Sequence, residues 1–198
     1  MPFGAGNIAL ERLADALEPL DAELEPHAPL RPAAVLAVLL GGPPLTGSSR
    51  LLLIERANAG RHHAGQIALP GGKPEASDQD LLATALREAH EEVFVPRDEL
   101  TVLGRLDPVP VPSGYFVVPF VAGETRGWQP SAFNHEVARL VLPTLDQLAD
   151  PAVHQRHGER TWRGKTYGLH RYAISDPPLW GATARMVWDL MERLRRSA

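Results

Sequence analysis

The chain has 198 residues, of which 44% are apolar and 22% charged, with a net charge of −4 and a pI near 6.1. That length suits one domain with extensions, and the slightly acidic balance argues against nucleic-acid binding through a broad basic surface. There is no cysteine, which excludes disulfides, thiolate zinc sites and cysteine nucleophiles.

Residues 7–18 place Ile8, Leu10, Leu13, Ala14 and Leu17 at helical spacing, predicting an N-terminal helix that Pro19 ends. Ala33–Leu40 is a continuous apolar run and reads as a buried strand. A Gly/Pro/Ser loop follows, then a second strand over Arg50–Glu55 and a Gly- and His-containing loop over 57–65. Leu81–Phe94 is the next predicted helix, with Ser77, Asp78 or Asp80 as its N-cap and Pro96 just past its end. Strands are expected over Leu100–Leu106 and Tyr115–Ala122, separated by a stiff proline loop from Asp107 to Gly114. Val137–Leu142 is a short apolar stretch, and Thr144 is placed to cap a helix over Leu145–Ala149. Arg160–Arg163 and Thr166–Ala173 form a predicted hairpin around Gly164-Lys165. Thr183–Leu194 is amphipathic, with Met186, Val187, Leu190 and Leu194 on one face. Short strands mixed with a few helices predict an α+β fold with a mixed β-sheet covered by helices. No apolar stretch approaches the ~20 residues that span a bilayer, and the N-terminus lacks the pattern of a signal peptide. The expected setting is cytoplasmic, with neither nucleic acid nor membrane as partner.

The most informative segment is residues 71–95. A glycine turn leads into the Leu81–Phe94 helix, where Glu88, Glu91 and Glu92 stand at i, i+3 and i+4. At about 100° per residue they share one side of the helix. Three crowded acids repel one another, and a hard divalent cation with oxygen ligands, Mg²⁺ or Mn²⁺, offsets that repulsion. Arg87 lies four residues before Glu91 and can orient it.

Arg87-Glu88-Ala89-His90-Glu91-Glu92, with Gly72 upstream, resembles the Nudix box. The interval from Gly72 to Arg87 is one residue longer than the family spacing, so Asp78 or Gln79 stands for the first Glu, and Phe94 stands for the terminal Gly. Upstream, Arg61, Gly65 and Leu69-Pro70-Gly71-Gly72 resemble the motif preceding that box in the coenzyme A diphosphatase branch, which tolerates the longer box. Leu69 replaces the usual Phe, and Ile54 and Arg56 stand where Thr is usual. Weaker similarity runs through Ser113-Gly114-Tyr115, Asn134-His135-Glu136-Val137 and Trp180-Gly181-Ala182-Thr183-Ala184.

The resemblance implies a Nudix-type α/β/α sandwich spanning residues 1–198, with an N-terminal helical extension over 1–32 and a C-terminal helix over 180–198. It also implies metal-dependent cleavage of the diphosphate of coenzyme A or its derivatives, yielding 3′,5′-ADP and 4′-phosphopantetheine or its derivative. Glu88 and Glu92 are the expected metal ligands, then Glu91, with a backbone carbonyl from Gly71 or Gly72. Asp78 leads Glu75 and Asp80 as a further acidic candidate. The general base is Glu91 or a carboxylate distant in sequence, Glu136, and Glu88 belongs to the same catalytic set. Arg61 and Arg56 are candidate phosphate contacts, and Tyr115 a candidate wall for the adenine or pantetheine. Two rivals remain at this point: hydrolysis of another nucleoside diphosphate derivative such as NADH or ADP-ribose, or a non-catalytic ligand-binding module. A homodimer using the two terminal helices is a further expectation.

Overall fold

The computed structural model describes residues 7–24, 29–57, 65–162 and 164–198. Its centre is a mixed sheet built on two long strands, β1 (Arg31–Leu40) and one at Tyr115–Glu124, which run parallel with Arg31 opposite Tyr115 and Leu39 opposite Gly123. In chain order the strands are β1, β2 (Arg50–Leu51), β3 (Leu53–Arg56), β4 (Ile67–Ala68), β5 (Gly71–Gly72), β6 (Leu100–Arg105), β7 (Val109–Val111), β8 (Tyr115–Glu124), β9 (Val137–Val141), β10 (His154–Trp162), β11 (Lys165–Tyr172) and β12 (Leu179–Trp180). The central sheet follows β2-β1-β8-β6, with β5 alongside β1 and β7 alongside β8; β4-β3-β9 and β10-β11-β12 form two smaller sheets.

The continuous apolar run of β1 is explained by burial on both faces. Ala34, Leu36, Val38 and Leu40 point into a core shared with Ala85, Leu86, Ala89 and Val93 of α2 (Leu81–Val93). Ala37 and Leu39 point the other way, into a core closed by α1 (Leu10–Asp15), α3 (Leu145–Ala149) and α4 (Gly181–Ser197). Helices cover both faces, giving the α/β/α sandwich of the α+β class. The buried faces of α1 and α4 are therefore spent on the core. Among the described residues no helix is long and apolar enough to cross a membrane.

Several boundaries differ from expectation. Helix α1 is shorter than residues 7–18, because Ile8 leaves the helix to bridge Leu45. The single strand expected over Arg50–Glu55 is split at Leu52: β2 pairs with β1 while β3 turns to β4 and β9. The proline loop contains a strand, β7, antiparallel to β8. Pro110 is tolerated there because β7 lies at a sheet edge, where a missing N–H breaks no ladder. The hairpin begins earlier, at His154, and α4 extends past both expected ends.

Helix α2 is set by its termini. Asp80, of the three N-cap candidates, accepts the Ala83 N–H at 2.7 Å. At the other end Phe94 adopts φ 54° and ψ 35°, and its N–H reaches the His90 carbonyl at 2.9 Å. Glycine is the usual residue in this left-handed conformation, which strains a side chain by about 1 kcal/mol or more.

Candidate active site

The glycine turn and the acidic side of α2 are held together by close backbone approach. A side chain at Gly71, whose φ is 151°, would strike the Ala34 carbonyl at 2.3 Å, and one at Gly72 would meet Glu88 Oε1 at 2.2 Å. Glycine is required for the chain to lie flat against both β1 and the carboxylates. The Gly71 N–H donates to Glu92 Oε2 at 2.9 Å. The Glu92 side chain is only 2% exposed, and the Arg56 guanidinium stands 3.9 Å from Oε1.

Arg87 organises the remaining acids. It forks onto Asp78, with Nε to Oδ1 and Nη2 to Oδ2 both at 3.0 Å, and Nη2 also donates to the Lys73 carbonyl. Its Nη1 lies 3.2 Å from Glu88 and 3.1 Å from Glu91. Asp78 accepts further bonds from the Thr84 hydroxyl and the Glu75 N–H, each at 2.9 Å. The Arg87 fork, joined by those donors, holds the Asp78 carboxyl well below the usual carboxylate range. Asp78 is thus fully engaged in orienting Arg87.

Burial acts in the opposite direction on the two inner glutamates. It pushes Glu92 up to about 7, against the Gly71 hydrogen bond and Arg56, with the charges of Glu88 and Glu136 adding to the rise. Burial also raises Glu88, opposed by Arg87 and reinforced by Glu91 and Glu136. Glu136 therefore bears on the same spot although it lies on a different segment. The loop that carries it is tied to α2 by the Asn134 N–H donating to the Glu92 carbonyl at 2.9 Å, and Asn134 Oδ1 accepts the Glu136 N–H at 2.8 Å.

This geometry, an arginine-clamped acid helix face opposed to a glycine turn, coincides with a match to a known domain. Residues 30–163 match the NUDIX domain. The chain belongs to the Nudix hydrolase family. Curated relatives of this Nudix chain include an uncharacterised Nudix hydrolase NudL of Photorhabdus laumondii, 35% identical over 83% of this chain and 86% of its own. NudL of Yersinia pestis, also uncharacterised, is 36% identical over 83% and 80%. Among solved structures, the Nudix hydrolase RenU of M. smegmatis aligns at 29% identity and a TM-score of 0.49, covering 61% of this chain and 74% of its own.

Within this Nudix chain the oxygen-only donor set suits a hard divalent cation: Glu88 and Glu92 carry raised, mutually repelling carboxyls, and Gly71 and Gly72 bring backbone against both. Among the described residues no three Asp, Glu or His side chains converge on one coordination point; Glu91, 52% exposed, turns to Arg87 instead. Arg61 lies outside the described residues, as do His62 and His63. Tyr115 is half-buried, with the Arg31 guanidinium 4.3 Å and the Lys73 ammonium 5.4 Å from its ring centre. Arg31 and Lys73 match no motif; the only sequence signal was the place of Lys73 directly after the glycine pair.

Proposed function

We propose that this protein hydrolyses the diphosphate of coenzyme A or its derivatives with the help of Mg²⁺ or Mn²⁺, releasing 3′,5′-ADP and 4′-phosphopantetheine or its derivative. The observation that carries the reaction class is the pair of the buried Glu92 and the partly buried Glu88, whose raised carboxyls face the glycine turn. Glu88, Glu92 and Glu91, with the Gly72 carbonyl, would hold the cation. Such an ion supplies charge neutralisation of the diphosphate and a more acidic bound water.

The chain's own residues supply orientation and proton transfer. Arg87, locked by Asp78, fixes the rotamers of Glu88 and Glu91. The Gly71 N–H and Arg56 steady Glu92. Glu91 and Glu136 are the two carboxylates available to take the proton of the attacking water; Glu91→Gln and Glu136→Gln variants tell them apart, since loss of the true acceptor lowers kcat by roughly 10²–10⁴-fold and loss of the other much less. Arg31 and Lys73 at the Tyr115 ring offer positive charge to a second phosphate, such as the 3′-phosphate of coenzyme A. The choice of coenzyme A rests on the Leu69-Pro70-Gly71-Gly72 signature.

The test is incubation of the purified protein with coenzyme A and Mg²⁺ or Mn²⁺, with an EDTA control, followed by chromatography for 3′,5′-ADP. Metal-dependent release of that product is expected. Hydrolysis of ADP-ribose or NADH, with coenzyme A left intact, would replace the substrate; no metal-dependent turnover of any of them would leave a binding module.

A further inference from the structure

Unlike Glu88, Glu91 and Glu92, Glu136 has no helix to fix it. It stands at the end of residues 125–136, an irregular stretch between β8 and β9. Backbone outside helices and ladders keeps its conformational freedom unless local contacts remove it. The start of the stretch is pinned by the buried Glu124 carboxylate, which accepts the N–H groups of Arg126, Gly127 and Trp128. The end is pinned by Asn134.

Asn134 makes three bonds. Its N–H donates to the Glu92 carbonyl at 2.9 Å, its side-chain Oδ1 accepts the Glu136 N–H at 2.8 Å, and its carbonyl accepts the Val137 N–H at 3.2 Å. The Glu92 carbonyl lies in the last turn of α2, where carbonyls lack an intrahelical donor. The left-handed Phe94 turns the chain away and leaves that carbonyl open to Asn134. On the other side, the Glu136 carbonyl accepts the Ala57 N–H at 2.8 Å, and Val137 pairs with Arg56, whose guanidinium faces Glu92. The backbone of Glu136 is thus held between two residues that each reach Glu92. Its charge acts on both Glu88 and Glu92, so its carboxylate is directed to their side.

We propose that Asn134 is a positioning residue, whose side-chain oxygen holds Glu136 over the Glu88–Glu92 pair and so couples the β8–β9 connection to the cation and the attacking water. The inference rests on the proposed function and adds a residue to its machinery. An asparagine oxygen on the N–H two residues ahead is an ordinary turn device; here the residue it restrains belongs to the acid cluster. The main-chain bond to Glu92 does not depend on the side chain, so substitution at 134 leaves the stretch tied to α2 and tests the side-chain bond alone.

The experiment is a double-mutant cycle of Asn134→Ala and Glu136→Gln, read by coenzyme A turnover and by calorimetric titration with Mn²⁺. Asn134→Ala should lower kcat by about 10- to 100-fold with KM nearly unchanged, and weaken Mn²⁺ binding by about 10-fold. In the Glu136→Gln background the same substitution should cost almost nothing further, because the group it positions is gone. Asn134→Asp keeps the acceptor and should recover most of both losses. Asn134→Ser keeps a weaker acceptor; it should give an intermediate loss and serves if Asn134→Ala fails to fold. Full additivity in both readouts, or a fall in melting temperature alone, overturns the inference and makes Asn134 a turn-former only. Glu136→Gln without effect on either readout overturns it too, and leaves hydrolysis through Glu91 standing. The titration needs no substrate, so it decides even where coenzyme A is not hydrolysed. Absence of Mn²⁺ binding to the unaltered protein would remove the metal-dependent reading and this inference with it.

Discussion

Burial shifts two clusters of ionisable groups in this molecule, and it drives them in opposite directions. On α2 it pushes Glu92 up to about 7. Between the β10–β11 hairpin and α4 it pushes His170 down to about 4, helped by the nearby charges of His154, Arg185, Arg156 and His157. Desolvation disfavours whichever form is charged, so acids rise and bases fall. The histidine cluster resolves its difficulty internally: His154 and His170 share a hydrogen bond of 2.9 Å. His154 stacks on Tyr172 at 4.6 Å and His170 on Trp188 at 4.7 Å. The acid cluster holds Arg87 and Arg56 but keeps two raised glutamates side by side, an arrangement that the proposed cation would complete. A buried titratable cluster therefore points to chemistry when its partners leave charge uncompensated, and to structure when they do not.

The comparison breaks most directly through activity. Glu92→Gln or Glu88→Gln should lower kcat by roughly 10²–10³-fold with the fold retained by circular dichroism, whereas His170→Gln should leave turnover nearly intact. Equal losses in all three would erase the distinction.

The pH dependence of stability sharpens it. The folded Glu92 carboxyl lies above the usual 4.5, so its contribution is present below that pH and is lost as pH rises towards about 7. Metal-free protein should lose up to ~3 kcal/mol over that interval, and Mg²⁺ should restore it. The folded His170 imidazole lies below the usual 6.5, so its contribution is present above that pH and is lost as pH falls towards about 4, again by at most ~3 kcal/mol. The two slopes oppose each other between these limits. Urea denaturation in EDTA across this range should show a nearly flat profile for the unaltered chain, a rise with pH for Glu92→Gln, and a fall with pH for His170→Gln. Identical profiles for all three proteins would mean that other groups govern stability here.

Asp78→Ala frees Arg87 from its fork and should weaken Mn²⁺ binding by about 10- to 100-fold, read by titration; unchanged affinity would make Asp78 dispensable to the cluster. The smallest effect concerns the end of α2. Phe94→Gly relieves the left-handed φ of 54° and should stabilise the protein by about 0.5–1 kcal/mol in urea melts, with turnover unaffected. Destabilisation instead would mean that the half-exposed ring contributes more than its backbone strain costs.

Much of the α2 site was legible in the chain because its parts are local. Glu88, Glu91 and Glu92 follow helical periodicity, and Gly71-Gly72 lies just before the helix. The choice between Asp78 and Gln79 for the first acidic position was open in one dimension. It is decided by the Arg87 fork, which selects Asp78 across a turn. Gln79 has no comparable bond to Arg87 among the described residues.

Sequence alone determined the acid helix, the glycine turn before it, the buried character of β1 and the mixed sheet, since each depends on periodicity or on residues that favour turns; the close approaches that make glycine necessary at positions 71 and 72 came from the tertiary structure. Tertiary structure alone decided that Glu136 joins Glu88 and Glu92, that Arg31 and Lys73 flank Tyr115, that Pro110 sits in an edge strand, and that residues as far apart as Ile67 and Arg185 enclose one cavity. Those contacts come from sheet register and helix packing over long separations, where the energy of any single pairing is small beside the burial of whole faces, so no local pattern in the chain records them.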